Sequence, residues 1–207
     1  MTRFQRHKSL ALAIILLATS LTPSAQGLST QERTKAVEYL NTTLSQVLAE
    51  SEKLSDAQWN FKEAPERWSV GEVVEHLALA ETFLFDLQQK TMAGPAATPE
   101  QLAGAKGKDE VILKAIPDRT QKVSAPEPLQ PKQRLGSRAE VIAALKERRA
   151  KTVAYVSKTS DNLRGRVADS ALGPTDAYGW LLFIGAHTER HLAQIRQVKA
   201  DSRYPKS

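Results

Sequence analysis

Cysteine is absent from this chain of 207 residues, and aromatic residues make up only 6% of it. Without cysteine there is no disulfide and no lipid-anchored cysteine at a mature N-terminus, and the softest metal ligand is missing. Any metal site must therefore use nitrogen and oxygen ligands. Histidine is scarce as well, and the four histidines are His7, His76, His187 and His191.

Long apolar runs are also missing beyond the N-terminus. The chain begins with three basic residues, Arg3, Arg6 and Lys8. An apolar run at 10–18 and the small-x-small sequence at 25–27 follow, which is the pattern of a secretory signal peptide over residues 1–27. The alternative is an uncleaved anchor, but the run is well short of the roughly 20 residues that a span needs. We expect an exported bacterial protein, periplasmic or extracellular, with no stable membrane anchor after cleavage.

The predicted signal peptide contributes half of the net positive charge of the chain. The formal net charge is +6 for the whole chain, with 29 basic and 23 acidic residues. Without the three basic residues of the signal, 26 basic residues remain against 23 acidic ones, which gives +3. This ordinary mixed surface, without a cluster of basic and aromatic residues, argues against nucleic acid as a partner. The remaining residues, 28–207, suit one domain with a sizeable core.

Helical periodicity marks four segments of this domain. The first covers about 30–54. The second and third open at Ser69 and Ser137, each at a Ser-x-x-Glu capping box. The fourth follows the Gly-Pro-Thr sequence at 173–175 and carries an apolar stripe as far as Val198.

A different kind of segment separates the second and third helices. Residues 93–136 are rich in Pro, Gly, Lys and Gln, and one short helix is expected near 110–116. A connection of this length serves as a crossover in a helical bundle. No repeat and no strand pattern of useful length is seen. We therefore predict an all-α protein, a four-helix bundle with a long crossover between helices 2 and 3.

The three histidines beyond the signal lie on the inward stripes of predicted helices. His187 and His191 are four residues apart, so both can reach one ion, and His76 lies on another helix. Three protein ligands with an open fourth position are typical of a catalytic zinc site. The alternative is three unrelated histidines, since such pairs are common on solvated faces. The hypothesis is a divalent metal ion (zinc, nickel or iron) held by His76, His187 and His191.

The sequence His-Thr-Glu-Arg-His at 187–191 is not the His-Glu-x-x-His motif of zinc peptidases. Its glutamate, Glu189, is two residues after the first histidine. At about 100° per residue it points away from the histidine pair, so it is not a general base of that type.

Two polar residues are candidates for orienting the ligands. Glu72 is one turn before His76, and Gln194 is one turn after His191. The plainer alternatives are a capping-box acid for Glu72 and an ordinary polar residue near the helix end for Gln194.

Aromatic and basic residues near the fourth helix allow two interpretations each. Trp180 and Phe183 fit the core by their spacing, with the wall of a pocket as the alternative. Three arginines are expected in solvent, with recognition of an anionic substrate as the alternative: Arg148, Arg149 and Arg190.

Two stretches of the chain resemble signatures of a known family. Residues 68–77 read WSVGEVVEHL, and residues 185–195 read GAHTERHLAQI. Both resemble the DinB-like superfamily, also called the YfiT-like metal-dependent hydrolases, and the stretch 118–131 is similar to its members as well. The resemblance covers roughly residues 30–200.

This resemblance implies a four-helix bundle with up-down-down-up topology and a divalent metal held by His76, His187 and His191. Relatives include S-transferases that use bacillithiol and an isomerase that uses mycothiol, in which the metal stabilises the thiolate nucleophile. Such thiols belong to the cytosol, whereas the predicted signal directs this chain out of it.

Three functions follow as hypotheses. The first is an exported metal-dependent enzyme with a small-molecule substrate, either a hydrolase or a thiol S-transferase. The absence of an inward general base counts against simple hydrolysis. The second is a non-catalytic protein that buffers, senses or is clamped by metal. The third is a metal-free interaction module, and exposed bundle faces allow a homodimer.

Acidification tests the imidazole site. Protons and metal compete for the same ring nitrogens, and the ligands must be neutral, so metal should leave as the pH falls through about 6. Metal content after equilibration and desalting at stepped pH measures this release. Retention at pH 4 would argue against an imidazole site.

Overall fold

The computed structural model describes residues 27–206, so the predicted signal peptide, apart from Gly27, lies outside the described residues. In this part of the chain there are seven α-helices and one β-hairpin. The helices are α1 Thr30–Ser51, α2 Asp56–Asn60, α3 Val70–Ala93, α4 Pro99–Ala105, α5 Lys108–Ala115, α6 Arg138–Lys158 and α7 Ala177–Lys199. The strands are β1 Val167–Ser170 and β2 Gly173–Asp176, which pair antiparallel. Among the described helices, none combines the length and apolar character that crossing a membrane requires.

The four long helices α1, α3, α6 and α7 form the bundle, which confirms the predicted all-α class. Helices α1 and α3 each pack against both α6 and α7, so α1 and α3 lie on a diagonal. Contacts near the helix ends give the directions: α7 runs with α1, whereas α6 runs against α1 and with α3. These contacts are Tyr178 Oη to the Glu32 carbonyl, Arg33 to the Val156 carbonyl, and Gln88 to Tyr155 Oη. The topology is up-down-down-up.

Local sequence signals set where the helices begin. The predicted capping boxes at Ser69 and Ser137 are both formed, each serine accepting from the backbone N–H three residues later. Helix α1 begins with a further capping box at Ser29. One approach between α1 and α7 needs glycine, because a Cβ on Gly185 would lie 2.5 Å from Tyr39 Cδ1.

The segment between α3 and α6 is more regular than predicted. One short helix was expected near 110–116, and the structure has two, α4 and α5, followed by a 3₁₀ helix at Glu127–Leu129. The signal for α4 was present, since Thr98 and Gln101 form a capping box around Pro99. The sequence does not predict the hairpin ahead of α7, because strands of four residues are too short to show alternation.

Two apolar clusters fill the bundle. One is centred on Leu40, Leu84, Val156 and Ile184, and the other on Val47, Leu77, Leu145 and Leu192. On each long helix a buried polar residue lies between the positions that belong to the two clusters. Phe83, on α3, is 42% exposed and belongs to neither cluster.

The polar residues between the clusters are organised by Arg149. This residue is 1% exposed, so the prediction that it lies in solvent is wrong. Its Nε and Nη2 donate to the two carboxylate oxygens of Glu81 at 2.8 and 2.7 Å. Its remaining hydrogen bonds join α1 and α7, with the acceptors Leu40 O, Thr43 Oγ1 and Thr188 Oγ1. One guanidinium therefore connects all four long helices, and its contact on α7 is the residue that follows the first histidine of that helix.

This pair gives a stability prediction. Arg149→Met leaves the buried Glu81 carboxylate without its cation, so we expect a loss of about 3–5 kcal/mol in the free energy of unfolding. The matched control is Arg148→Met, since Arg148 donates only to the Ala78 carbonyl at the bundle edge, and its loss should stay under about 1 kcal/mol.

Chemical denaturation of the three proteins measures both losses. A double variant, Arg149→Met with Glu81→Leu, should recover part of the loss because it removes both buried charges. Equal stability of wild type and Arg149→Met would show that the bundle does not depend on this pair.

Candidate metal centre

The three predicted histidines come together between α3 and α7. One ligand atom from each of His76, His187 and His191 lies within 4.8 Å of the others, and among residues 27–206 this group includes no carboxylate. His76 is two turns into α3, behind the Ser69 capping box, while the other two project from the middle of α7. His76 and His191 are buried, at 3% and 8% exposure, and His187 is partly exposed.

Hydrogen bonds on the outer side of two rings set their tautomers. His76 Nδ1 lies 2.7 Å from the Leu129 carbonyl oxygen, and His191 Nδ1 lies 2.8 Å from Gln194 Oε1. Both partners can only accept, so each Nδ1 carries the proton in the neutral ring. The lone pair is then on Nε2 in both rings, where a metal ligand needs it.

The spacing of the ring nitrogens fits a metal ion. His76 Nε2 and His187 Nε2 are 3.3 Å apart. Two imidazole nitrogens bound to one tetrahedral zinc at about 2.0–2.1 Å lie about 3.3–3.4 Å from each other. Three neutral nitrogen donors facing one space, without an acid among them, form a donor set that suits a divalent cation. The residues present therefore fit the metal implied by the histidine pattern.

Burial keeps the three rings neutral. Desolvation lowers the pKa of His187 to about 3, and the charges of His76, Arg190 and Arg149 act in the same direction. Burial likewise lowers the pKa of His191 well below its ordinary value. Burial also lowers the pKa of His76. The hydrogen bond to the Leu129 carbonyl raises this pKa, but its effect is the smaller of the two. Neutral imidazole is the form that binds metal.

The aromatic ring of Trp68 covers one side of the cluster. Its centroid is 4.8 Å from that of His76 and 6.2 Å from that of His191, and it stacks on His191 at an interplanar angle of 23°. This residue immediately precedes the Ser69 cap, so the capping box that starts α3 also places the indole against the ligands. The indole shields the rings from water on that side.

The two candidates for orienting the ligands differ in their contacts. Gln194 accepts from His191, as an orienting residue would. Glu72 instead accepts from the Ser69 N–H at 2.8 Å and pairs with Lys62 at 2.7 Å. Its hydrogen bonds are those of a capping residue, which is the plainer alternative. The hydrogen bonds of Glu72 reach no histidine, and the support of a metal ligand by Gln194 stays a prediction.

Glu189 lies on the outside of α7, as its position in the helix predicts. It is exposed and accepts from Tyr39 Oη at 2.7 Å. It therefore does not act as a base beside the histidines.

Two residues at the site were not identified from the sequence. The Leu129 carbonyl belongs to the crossover and is 53 residues from His76. Glu75, next to His76, is 3% exposed and accepts from the backbone N–H groups of residues 133–135. A backbone carbonyl cannot be identified from the type of residue that carries it. A glutamate beside His76 in an otherwise apolar stretch of α3 could have been identified from the sequence.

The arginines suggested as alternatives for anion binding have other partners. Arg190 donates to the carbonyls of Ile116, Asp118 and Gln121, and so fastens the middle of the crossover to α7. Arg148 bonds the Ala78 carbonyl. Their hydrogen bonds are structural, as are those of the buried Arg149.

Trp180 and Phe183 are mainly core residues. Trp180 is 5% exposed and packs in the first apolar cluster, with the Phe183 ring 5.7 Å away. The core interpretation of these two aromatics is the one that their burial supports.

Comparison with known proteins supplies the family. The family model described as DinB superfamily matches residues 36–195, most of the described chain. The chain belongs to the DinB superfamily. The match spans the stretch from the first turns of α1 to the end of the histidine motif in α7, so this DinB-superfamily chain has all three histidines inside the family region.

A bacterial relative is similar over much of its length. The chain is 28% identical to uncharacterized protein YuaE of Bacillus subtilis (strain 168) over 149 residues, which is 70% of this chain and 86% of that protein. No solved structure matches the chain. The comparisons therefore show the family, and the histidine cluster identifies residues that could hold a metal ion.

The lowered pKa values correct the expected pH of metal release. A release near pH 6 assumed histidines of ordinary pKa, and here burial lowers the pKa of all three rings. Protons therefore compete for the ligands less well, and the expected release moves to lower pH.

The same shift predicts how stability depends on pH in the metal-free protein. The unfolded chain protonates His187 near pH 6.5, whereas the folded chain does so only near pH 3, so acidification between these values favours unfolding. We expect wild type to lose about 1–2 kcal/mol more between pH 7 and pH 5 than His187→Gln, which does not titrate. Denaturant titration with a chelator present measures the difference, and parallel losses in the two proteins would contradict it.

Proposed function

We propose that this DinB-superfamily chain is an exported metal-dependent enzyme of the hydrolase or thiol S-transferase type, with His76, His187 and His191 as the metal ligands. The observation that carries the proposal is the convergence of three imidazole nitrogens within 4.8 Å. The outward bonds of His76 and His191 support it, because they leave Nε2 of each ring free to bind.

An open ligand position favours an enzyme over a structural clamp. Among residues 27–206 the group contains three histidines and no fourth histidine or acidic ligand. Structural zinc sites are normally closed by four protein ligands, whereas catalytic sites keep one position for water or substrate. The partial exposure of His187 gives that position a side from which a small molecule can approach.

The acids near His76 bear on the type of reaction. The Glu72 carboxylate caps α3 and pairs with Lys62, and the Glu75 carboxylate binds the crossover backbone. A bound divalent ion supplies Lewis acidity, which lowers the pKa of water or of a thiol. Such a site would suit a thiol substrate, because a thiol beside a metal ion ionises near neutral pH with little help from a base. The predicted export favours water, so both reaction types belong to the proposal.

The non-catalytic alternative has one observation in its favour. The histidines join α3 to α7, and Leu129 adds the crossover to the same cluster, so a metal here would also hold the fold together. A stabilising ion without turnover would identify the site as a clamp.

Metal content of the exported protein tests the ligand set. Wild type should hold close to one zinc, nickel or iron per chain by elemental analysis. His76→Ala and His187→Ala should each hold little, because two imidazoles bind far more weakly than three. Glu189→Gln is the matched control, since Glu189 lies between two of the histidines but faces outward. Equal metal in all four proteins would refute the site.

The same material tests export and turnover. Intact mass should show that the segment up to about residue 27 has been removed, and retention of that segment would contradict the signal-peptide assignment. Metal-loaded and chelator-treated protein are then compared on ester and amide panels and on thiol addition to electrophiles. Turnover that needs the metal supports the enzyme, while a metal-dependent melting temperature without any turnover supports the clamp.

A further inference from the structure

Glu75 is a buried carboxylate whose partners are backbone groups. It is 3% exposed and immediately precedes His76 on α3. The Gln133 N–H donates to its Oε2 at 3.0 Å, and the N–H groups of Arg134 and Leu135 donate to its Oε1 at 2.5 and 3.4 Å. The Arg134 side chain turns away and pairs with Glu127 at 2.8 Å. Three peptide N–H groups therefore hold this negative charge.

The backbone of the crossover is bent to make these bonds. Gln133 has φ of 56°, the one positive φ at a non-glycine residue among residues 27–206. A turn that contains a left-handed residue is one way in which successive N–H groups converge on one anion. A non-glycine residue in the left-handed region costs free energy, so the neighbouring contacts must hold it there.

The segment bound by Glu75 also carries the acceptor for His76. Leu129, which is 9% exposed, presents its carbonyl to His76 Nδ1 at 2.7 Å. Internal bonds connect it to the segment held by Glu75: the Gln130 N–H donates to the Glu127 carbonyl, and the Arg134 guanidinium donates to the Glu127 carboxylate. Residues 127–135 are therefore linked to one another, and this segment is bonded to both Glu75 and His76 of α3.

We propose that Glu75 is a positioning residue for His76: by holding residues 133–135 it keeps the Leu129 carbonyl on Nδ1 and the Nε2 lone pair toward the other two histidines. The inference rests on the proposed function in so far as its consequence is metal affinity. Its structural half, the tautomer of His76, is independent of any metal.

The charge of Glu75 is what the arrangement requires. A carboxylate accepts all three N–H groups, whereas the amide of Glu75→Gln offers one acceptor oxygen and sets an NH₂ group against a donor. The lost bonds are charge-assisted and buried, so the segment should leave α3 rather than keep N–H groups without acceptors. His76 then loses the carbonyl that selects its tautomer, and the ring is free to rotate.

The experiment compares Glu75→Gln with Glu72→Gln in the full mature chain. Both variants make the same chemical change in the first turns of α3, but Glu72 contacts the cap and Lys62, not the crossover. Long-range ¹H–¹⁵N NMR of the chelator-treated protein at pH 7 reads the tautomer of each ring. Competition with a chromophoric chelator reads the dissociation constant for zinc.

The expected results test the tautomer of His76 and the zinc affinity separately. Wild type and Glu72→Gln should show His76 as the Nδ1–H tautomer, and Glu75→Gln a mixture with Nε2–H. Zinc affinity should fall about 10- to 100-fold in Glu75→Gln and less than about 3-fold in Glu72→Gln. A merely structural loss would lower the stability without changing the tautomer, and that result would overturn the proposal.

Two further outcomes keep the test decisive. If wild type shows the expected tautomer but binds no zinc, the proposed function fails while the positioning of His76 by the crossover stands. If Glu75→Gln does not fold, the wild-type spectrum still keeps the inference falsifiable, because a predominant Nε2–H tautomer at His76 would overturn it.

Discussion

A bidentate ion pair between Arg149 and Glu81 crosses the centre of the bundle, where all four long helices meet. Its further bonds reach α1 through Leu40 and Thr43, and α7 through Thr188. A buried pair of this kind adds little net stability over apolar residues, but it is costly to misalign. It therefore fixes the register of α3 against α7, and with it the separation of His76 from the histidines of α7.

The histidine cluster depends on that register and on its burial. His76 and His191 are buried and His187 is partly exposed, and desolvation lowers the pKa of all three rings, which favours their neutral form. Each of two rings is oriented by a hydrogen bond that its Nδ1–H donates, from His76 to the Leu129 carbonyl in the crossover and from His191 to Gln194 Oε1 in α7. The long crossover is thus more than a connection, since it supplies an acceptor to one candidate ligand and is fastened by Glu75 and Arg190.

The features that the sequence predicted are local ones. The capping boxes at Ser69 and Ser137 placed the starts of two helices, and the inward stripes brought His76 to the histidines of α7. These signals depend on residues three or four apart, where spacing determines geometry.

The features that it did not predict depend on partners distant in the chain. Arg149 stands beside Arg148 in a run that resembles a solvated face, and only Glu81, 68 residues away, explains its burial. The Leu129 carbonyl carries no side-chain signal, and the role of Glu75 appears only when the crossover folds back on α3. Local periodicity gives no information about which residues pair over such distances along the chain.

X-ray absorption at the metal edge tests the central claim most directly. The protein loaded with one equivalent of zinc should show four ligands at about 2.0–2.1 Å, with the outer-shell scattering of three imidazoles and one exchangeable light ligand. Scattering from fewer than two imidazoles, or a spectrum unchanged when all three histidines are replaced by alanine, would contradict a three-histidine metal centre in this bundle.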